Sequence, residues 1–158
     1  MLKYAPEVYG DRAFSLFYEG YNCAQAVFCA FSEDTGISMS SSARIASSFG
    51  GGMGRLREVC GAVSGAFLVL GTLIGYADPA EPALKAAHYK VVQDFARRFR
   101  EANSSIVCRE LLKGVETAPG LVPEARTPEF YRKRPCPELI RQAAVLAAQL
   151  IEETEGEE

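Results

Sequence analysis

The sequence predicts an all-α fold, a compact helical bundle of about six to seven helices around a buried apolar central helix. Three observations carry this. Apolar residues recur at spacings of three and four along most of the chain, no stretch alternates as a half-buried strand would, and residues 59–77 form a run of 19 without a charge.

Each element has its own signal. Phe14, Leu16 and Phe17 mark a first helix that ends near Gly20. Asn22 reads as the next N-cap, with Gln25 three residues on completing a capping box ahead of CAQAVFCAF. Gly36 is expected to stop that second helix; Ser40, Ser41 and Ser42 cap a short third, and the glycines from Gly50 end it. The central apolar helix is expected over 57–75. Leu84, Ala87, Val91, Phe95 and Phe99 then form the stripe of an amphipathic helix, followed by a short one in SIVCRELLKG. Pro119, Pro123, Pro128 and Pro135 make 114–135 irregular, a stretch long enough to serve as a lid. Pro137, at a favoured first-turn position, opens a last helix with Leu139, Ile140, Ala143, Leu146 and Leu150 on one side.

The uncharged run is nearly long enough to cross a bilayer. Around a helix, however, Gly61, Ser64, Gly65, Thr72 and Gly75 gather on one side and Val63, Phe67, Leu70, Leu73 and Ile74 on the other. The amphipathic neighbours need a central element to pack on, so a buried helix is expected instead of a membrane span. Its small-residue face leaves room for a homodimer.

The 158 residues, 48% of them apolar, suit a single domain over 1–158, with an acidic tail at 152–158. Net charge is −3 with both signs interspersed, which gives no footprint for nucleic acid. The start MLKYAPEVYG has no secretory pattern, and five cysteines fit a reduced compartment, so the expected location is cytoplasmic.

Cysteine placement is the most informative feature. Cys23 directly follows the Asn22 cap, Cys108 follows Ser104 and Ser105, Cys136 precedes Pro137, and Cys60 lies where the glycine loop meets the central helix. Helix N-termini offer unpaired N–H groups and positive potential, which favour a thiolate and can donate to cluster sulfurs. Arg55, Arg57, Arg109 and the run Arg132, Lys133, Arg134 add positive charge nearby. Cys29, among Val27, Phe28 and Phe31, reads as a core thiol, and the single histidine, His88, as a surface or boundary residue. GGGMG has no preceding strand and no following GK[ST]; it serves either close backbone approach to the Cys60 site or a plain turn.

Three functions stay open on these residues. Cys23, Cys60, Cys108 and Cys136, with Gly61 giving close approach, could ligate an iron–sulfur cluster or, structurally, zinc, for electron transfer or redox sensing. The same thiols could run cofactor-free disulfide exchange as catalytic pairs with a redox partner protein. A purely structural module is the third. Intervals of 36, 47 and 27 residues contain no CxxC, so any site must be built by the fold.

The order Cys23, Cys60-Gly61-Ala62-x-x-Gly65, Cys108, Cys136 resembles the C_GCAxxG_C_C family of redox-active proteins, with GYNCAQAV, FGGGMG, CREL and CPEL agreeing around it. The chain reads CGAxxG where the label writes GCAxxG, so the cysteine and glycines alone carry over. The resemblance implies a small soluble helical protein with a cysteine-based redox role. It also implies similarity to the cluster-bearing part of split-Soret cytochromes, and with it an iron–sulfur site.

Overall fold

The computed structural model describes residues 1–157. Their regular structure is helical: α1 (Pro6–Tyr18), α2 (Cys23–Cys29), α3 (Ser32–Thr35), α4 (Met39–Ala46), α5 (Gly50–Met53), α6 (Gly61–Ile74), α7 (Pro82–Asn103), α8 (Cys108–Leu111), α9 (Pro128–Lys133) and α10 (Cys136–Gly156). The one β-type feature among them is an isolated antiparallel bridge between Val59 and Val107.

The Asn22 capping box forms as expected: Gln25 N donates to Asn22 Oδ1 at 2.9 Å and Asn22 N to Gln25 Oε1 at 3.0 Å. Several boundaries differ. Gly36 closes α3 instead of α2, taking the left-handed conformation while its N–H reaches Ser32 O. Ser38 caps α4, accepting from Ser41 N at 3.1 Å, whereas Ser40, Ser41 and Ser42 lie inside the helix. The central helix begins at Gly61, four residues later than expected, because Arg57 is left-handed and Cys60 extended. The proline-rich stretch contains α9, capped by Thr127 through Phe130 N. Residues 152–156, expected as a tail, are the outer turns of α10; Glu158 lies outside the described residues.

The core sits where α1, α2, α6 and α10 meet. Tyr9, Phe17, Phe28, Leu70, Phe95 and Ile140 are among its fully buried members. α1 lies against α10 at Gly10, where a Cβ would stand 2.6 Å from Val145 Cγ2. α6 meets α2 at Gly65, where a Cβ would stand 2.7 Å from Ala24 O. No helix among the described residues is long and apolar enough to cross a membrane.

α6 is central only through its first ten residues. Gly71 and Thr72 are exposed, since the seven-residue α2 ends before it can cover them. The same overhang leaves the start of α7 uncovered. Leu84 is 53% exposed and Ala87 is exposed, while Phe95 and Phe99 of the same stripe are buried.

This asymmetry gives a paired test. Gly65→Ala forces a methyl into the backbone of α2 and should cost about 1–3 kcal/mol. Gly71→Ala meets nothing within 4 Å and should add about 0.5–1 kcal/mol by restricting the unfolded chain. Thermal melts should move in opposite directions.

Candidate functional site

Four helix starts point at one cavity. Cys23 is the first residue of α2, Cys60 the N-cap of α6, Cys108 the first residue of α8 and Cys136 the first residue of α10. All four line a cavity of about 280 Å³, with Gly61 beside them. Pro135 takes the N-cap of α10, so Cys136 sits one place further into the helix than its position before Pro137 suggested.

Cys60 and Cys108 are joined by backbone. Cys60 N donates to Ile106 O at 2.8 Å, Cys108 N to Glu58 O at 2.5 Å, and Arg109 N to Arg57 O at 3.2 Å. These bonds flank the Val59–Val107 bridge and set the two cysteines on neighbouring short segments.

The glycine loop supplies the remaining wall by an unusual route. Gly51, Gly52, Met53, Gly54 and Arg55 all take φ between 56° and 69°, a left-handed turn. Glycine adopts this freely, whereas Met53, Arg55 and the nearby Arg57 (φ 61°) each carry a steric cost of about 1–2 kcal/mol. The approach expected near Cys60 is made to Cys108: a Cβ on Gly52 would lie 2.6 Å from Cys108 Cβ. A Cβ on Gly61 would lie 2.9 Å from Cys23 Cβ, so Gly61 lets those two chain segments close.

Of the basic residues flanking the cysteines, Arg57 and Arg134 bear on the sulfurs. Arg57 Nη1 lies 3.8 Å from Cys108 Sγ. Arg134 helps to hold the Cys136 thiolate. Arg109 turns to Glu58 at 3.0 Å, Lys133 pairs with Glu129 at 2.7 Å, and Arg132 is exposed. Cys29 is buried away from the cavity with its thiol pushed up to about 11 by burial, and the His88 ring lies tilted beside Tyr76, their centroids 6.1 Å apart.

The lid forms over the cavity, with Leu121 and Pro123 in its lining. Arg55 donates to Ala118 O at 2.6 Å and Gly120 O at 2.8 Å. Glu124 accepts from Arg134 at 2.6 Å and from Ala118 N at 3.1 Å. Arg126 lies 4.2 Å above the Phe17 ring and donates to Phe17 O and Tyr21 O. Glu124 and Arg126 were not legible as site residues, because two charges in a proline-rich loop carry no periodicity or motif.

Burial dominates at Cys60 and Cys108. It pushes Cys60 up to about 12, against the Ala62 and Val63 amides that favour its thiolate, and raises Cys108 against the pull of Arg57. Cys23 and Cys136 act as a pair. The Cys23 thiol donates to Cys136 and is itself raised, while Cys136 falls to about 7 through that bond and, despite its burial, with help from Arg134. All five cysteines are free thiols. Cys23 and Cys136 are neighbours, but among the described residues no three metal-ligating side chains close on one point.

The model of the C_GCAxxG_C_C family, described as "Putative redox-active protein", matches residues 21–150. The chain belongs to this family. The match takes in all four cavity cysteines, the glycine loop and the lid. No curated protein and no solved structure matches the chain.

In reduced, chelator-treated protein, Cys136 should be alkylated ahead of Cys23, Cys60 and Cys108. Its rate should fall as pH drops below about 7 and the thiolate reprotonates. Cys23→Ala removes the donor and should move that midpoint upward, as read by mass spectrometry across a pH series. For the lid, Arg134 holds the Glu124 carboxyl below its ordinary range against the opposing effect of burial, so the latch should persist until pH falls through that lowered value. Glu124→Gln should speed limited proteolysis within 114–127 at neutral pH, while the rest of the chain stays intact.

Proposed function

We propose that Cys23, Cys60, Cys108 and Cys136 ligate an iron–sulfur cluster and that the protein works in electron transfer or redox sensing. The observation that carries this reading is the convergence of four thiols, each from a separate helix start, on one lidded cavity. Four cysteines are the usual ligand set for such clusters. The remaining charged residues of the lining fit as well: Arg55, Arg57, Arg126 and Arg134 face a single carboxylate, Glu124. That surplus of positive charge suits a group held by negative sulfurs.

When bound, such a cluster supplies a reversible one-electron change. The chain's own part is to orient the sulfurs, donate to Cys60 and Cys136 from the starts of α6 and α10, and limit water with the lid and with Phe17, Leu111, Leu112 and Leu139. Zinc fits less well. Zn–S bonds of about 2.3 Å draw four sulfurs tightly around one ion, and among the described residues no three metal-ligating side chains close on one point.

The Cys23–Cys136 pair favours a second reading, thiol/disulfide exchange. The Cys136 thiolate would attack a partner protein's disulfide and release a partner thiolate. Cys23, losing its proton to solvent, would then displace the second partner thiolate and leave Cys23–Cys136 oxidised.

Purification without oxygen, followed by iron and sulfide analysis, separates the two. The cluster reading expects visible absorbance with bound iron that falls sharply in each of Cys23→Ser, Cys60→Ser, Cys108→Ser and Cys136→Ser and is unchanged in Cys29→Ser. Colourless, iron-free protein that loses two thiols together at Cys23 and Cys136 on oxidation would replace it with the second reading.

A further inference from the structure

Arg57 differs from the other cations of the cavity. Arg55 is engaged by the lid carbonyls, Arg126 by the carbonyls that end α1 and precede α2, and Arg134 by Glu124. Arg57 forms no ion pair among the described residues, and its side chain's hydrogen bond goes to Cys108 Sγ at 3.8 Å. Its backbone is clamped on both sides: Arg57 N donates to Gly51 O at 3.2 Å, and Arg57 O accepts from Arg109 N and from Arg109 Nη1, each at 3.2 Å. An arginine is a poor steric choice for φ 61°, where asparagine or glycine would rest at less cost. The clamp holds it there nonetheless, and the result is a guanidinium on a cysteine sulfur.

We propose that Arg57 is a positioning residue that sets the redox poise of the site by keeping a positive charge and an N–H donor on the Cys108 sulfur. The inference rests on the cluster reading and goes beyond it. One-electron reduction adds negative charge that is shared with the ligating sulfurs; no bond forms or breaks, and the electron comes from an external reductant. A fixed cation beside one sulfur stabilises the reduced state more than the oxidised one and so raises the reduction potential.

The test compares reconstituted wild-type protein with Arg57→Asn, Arg57→Gln and Arg57→Lys by dithionite titration with mediators, following visible absorbance. Iron content and melting temperature are measured on the same samples. Arg57→Asn relieves the backbone strain, so it should keep its iron and melt no lower than wild type. Its one-electron equilibrium should move at least tenfold toward the oxidised state, a drop of about 59 mV. Arg57→Gln should show the same drop, and Arg57→Lys should recover part of it. Full iron with an unchanged potential in the asparagine and glutamine variants would overturn the proposal. Loss of iron and stability together in both, restored by lysine, would overturn it in favour of a structural role. Iron-free wild-type protein would remove the cluster reading itself and this inference with it.

Discussion

The backbone exchange between 57–60 and 106–109 is the constraint on which the site depends. It fixes Cys60 N to Ile106 O and Cys108 N to Glu58 O, and so brings together two cysteines separated by 47 residues of chain. Because Arg57 and Glu58 must run alongside Val107 and Arg109, the preceding loop has to reverse within a few residues. The left-handed turn at 51–55 performs that reversal, and Gly52 is the point where backbone passes too close to Cys108 for any side chain. The steric cost at Met53, Arg55 and Arg57 is borne where the chain meets its reactive residues, a common location for stored backbone strain.

Against this frame, the four thiols are under opposing influences. Removing them from water favours the neutral form, and burial is the leading cause of the rise at Cys60 and Cys108. Helix-terminal amides, Arg57 and Arg134 favour the anion. With protein groups alone, Cys136 is the one cavity thiol whose pKa is lowered, through Cys23 first and then Arg134.

The lid belongs to the same electrostatic design. Arg55 leaves the left-handed turn to hold the carbonyls of Ala118 and Gly120, while Glu124 ties the loop to Arg134, two residues before Cys136. Arg126 anchors the far side on α1. The cover is therefore fastened by residues adjacent in sequence to the cavity cysteines, so the closure of the cavity and the placement of those cysteines are mechanically linked.

Local physics made much of this protein readable from sequence. The Asn22 capping box, the uncharged core of α6, the buried end of the α7 stripe, the core role of Cys29 and the placement of cysteines at helix starts all depend on groups within a few residues of one another. The reach of α6, the cap of α4 and the exposed half of α7 depended on which neighbours arrive and where they end; those positions came out differently or incompletely. The tertiary structure alone decided that the four cysteines share one cavity, that Arg57 faces a sulfur while Arg109 turns away, and that Glu124 and Arg126 fasten the lid. The reason is that helix periodicity and capping are short-range rules. The site is instead made by contacts between segments tens of residues apart, whose meeting is set by the packing of α2, α6 and α10.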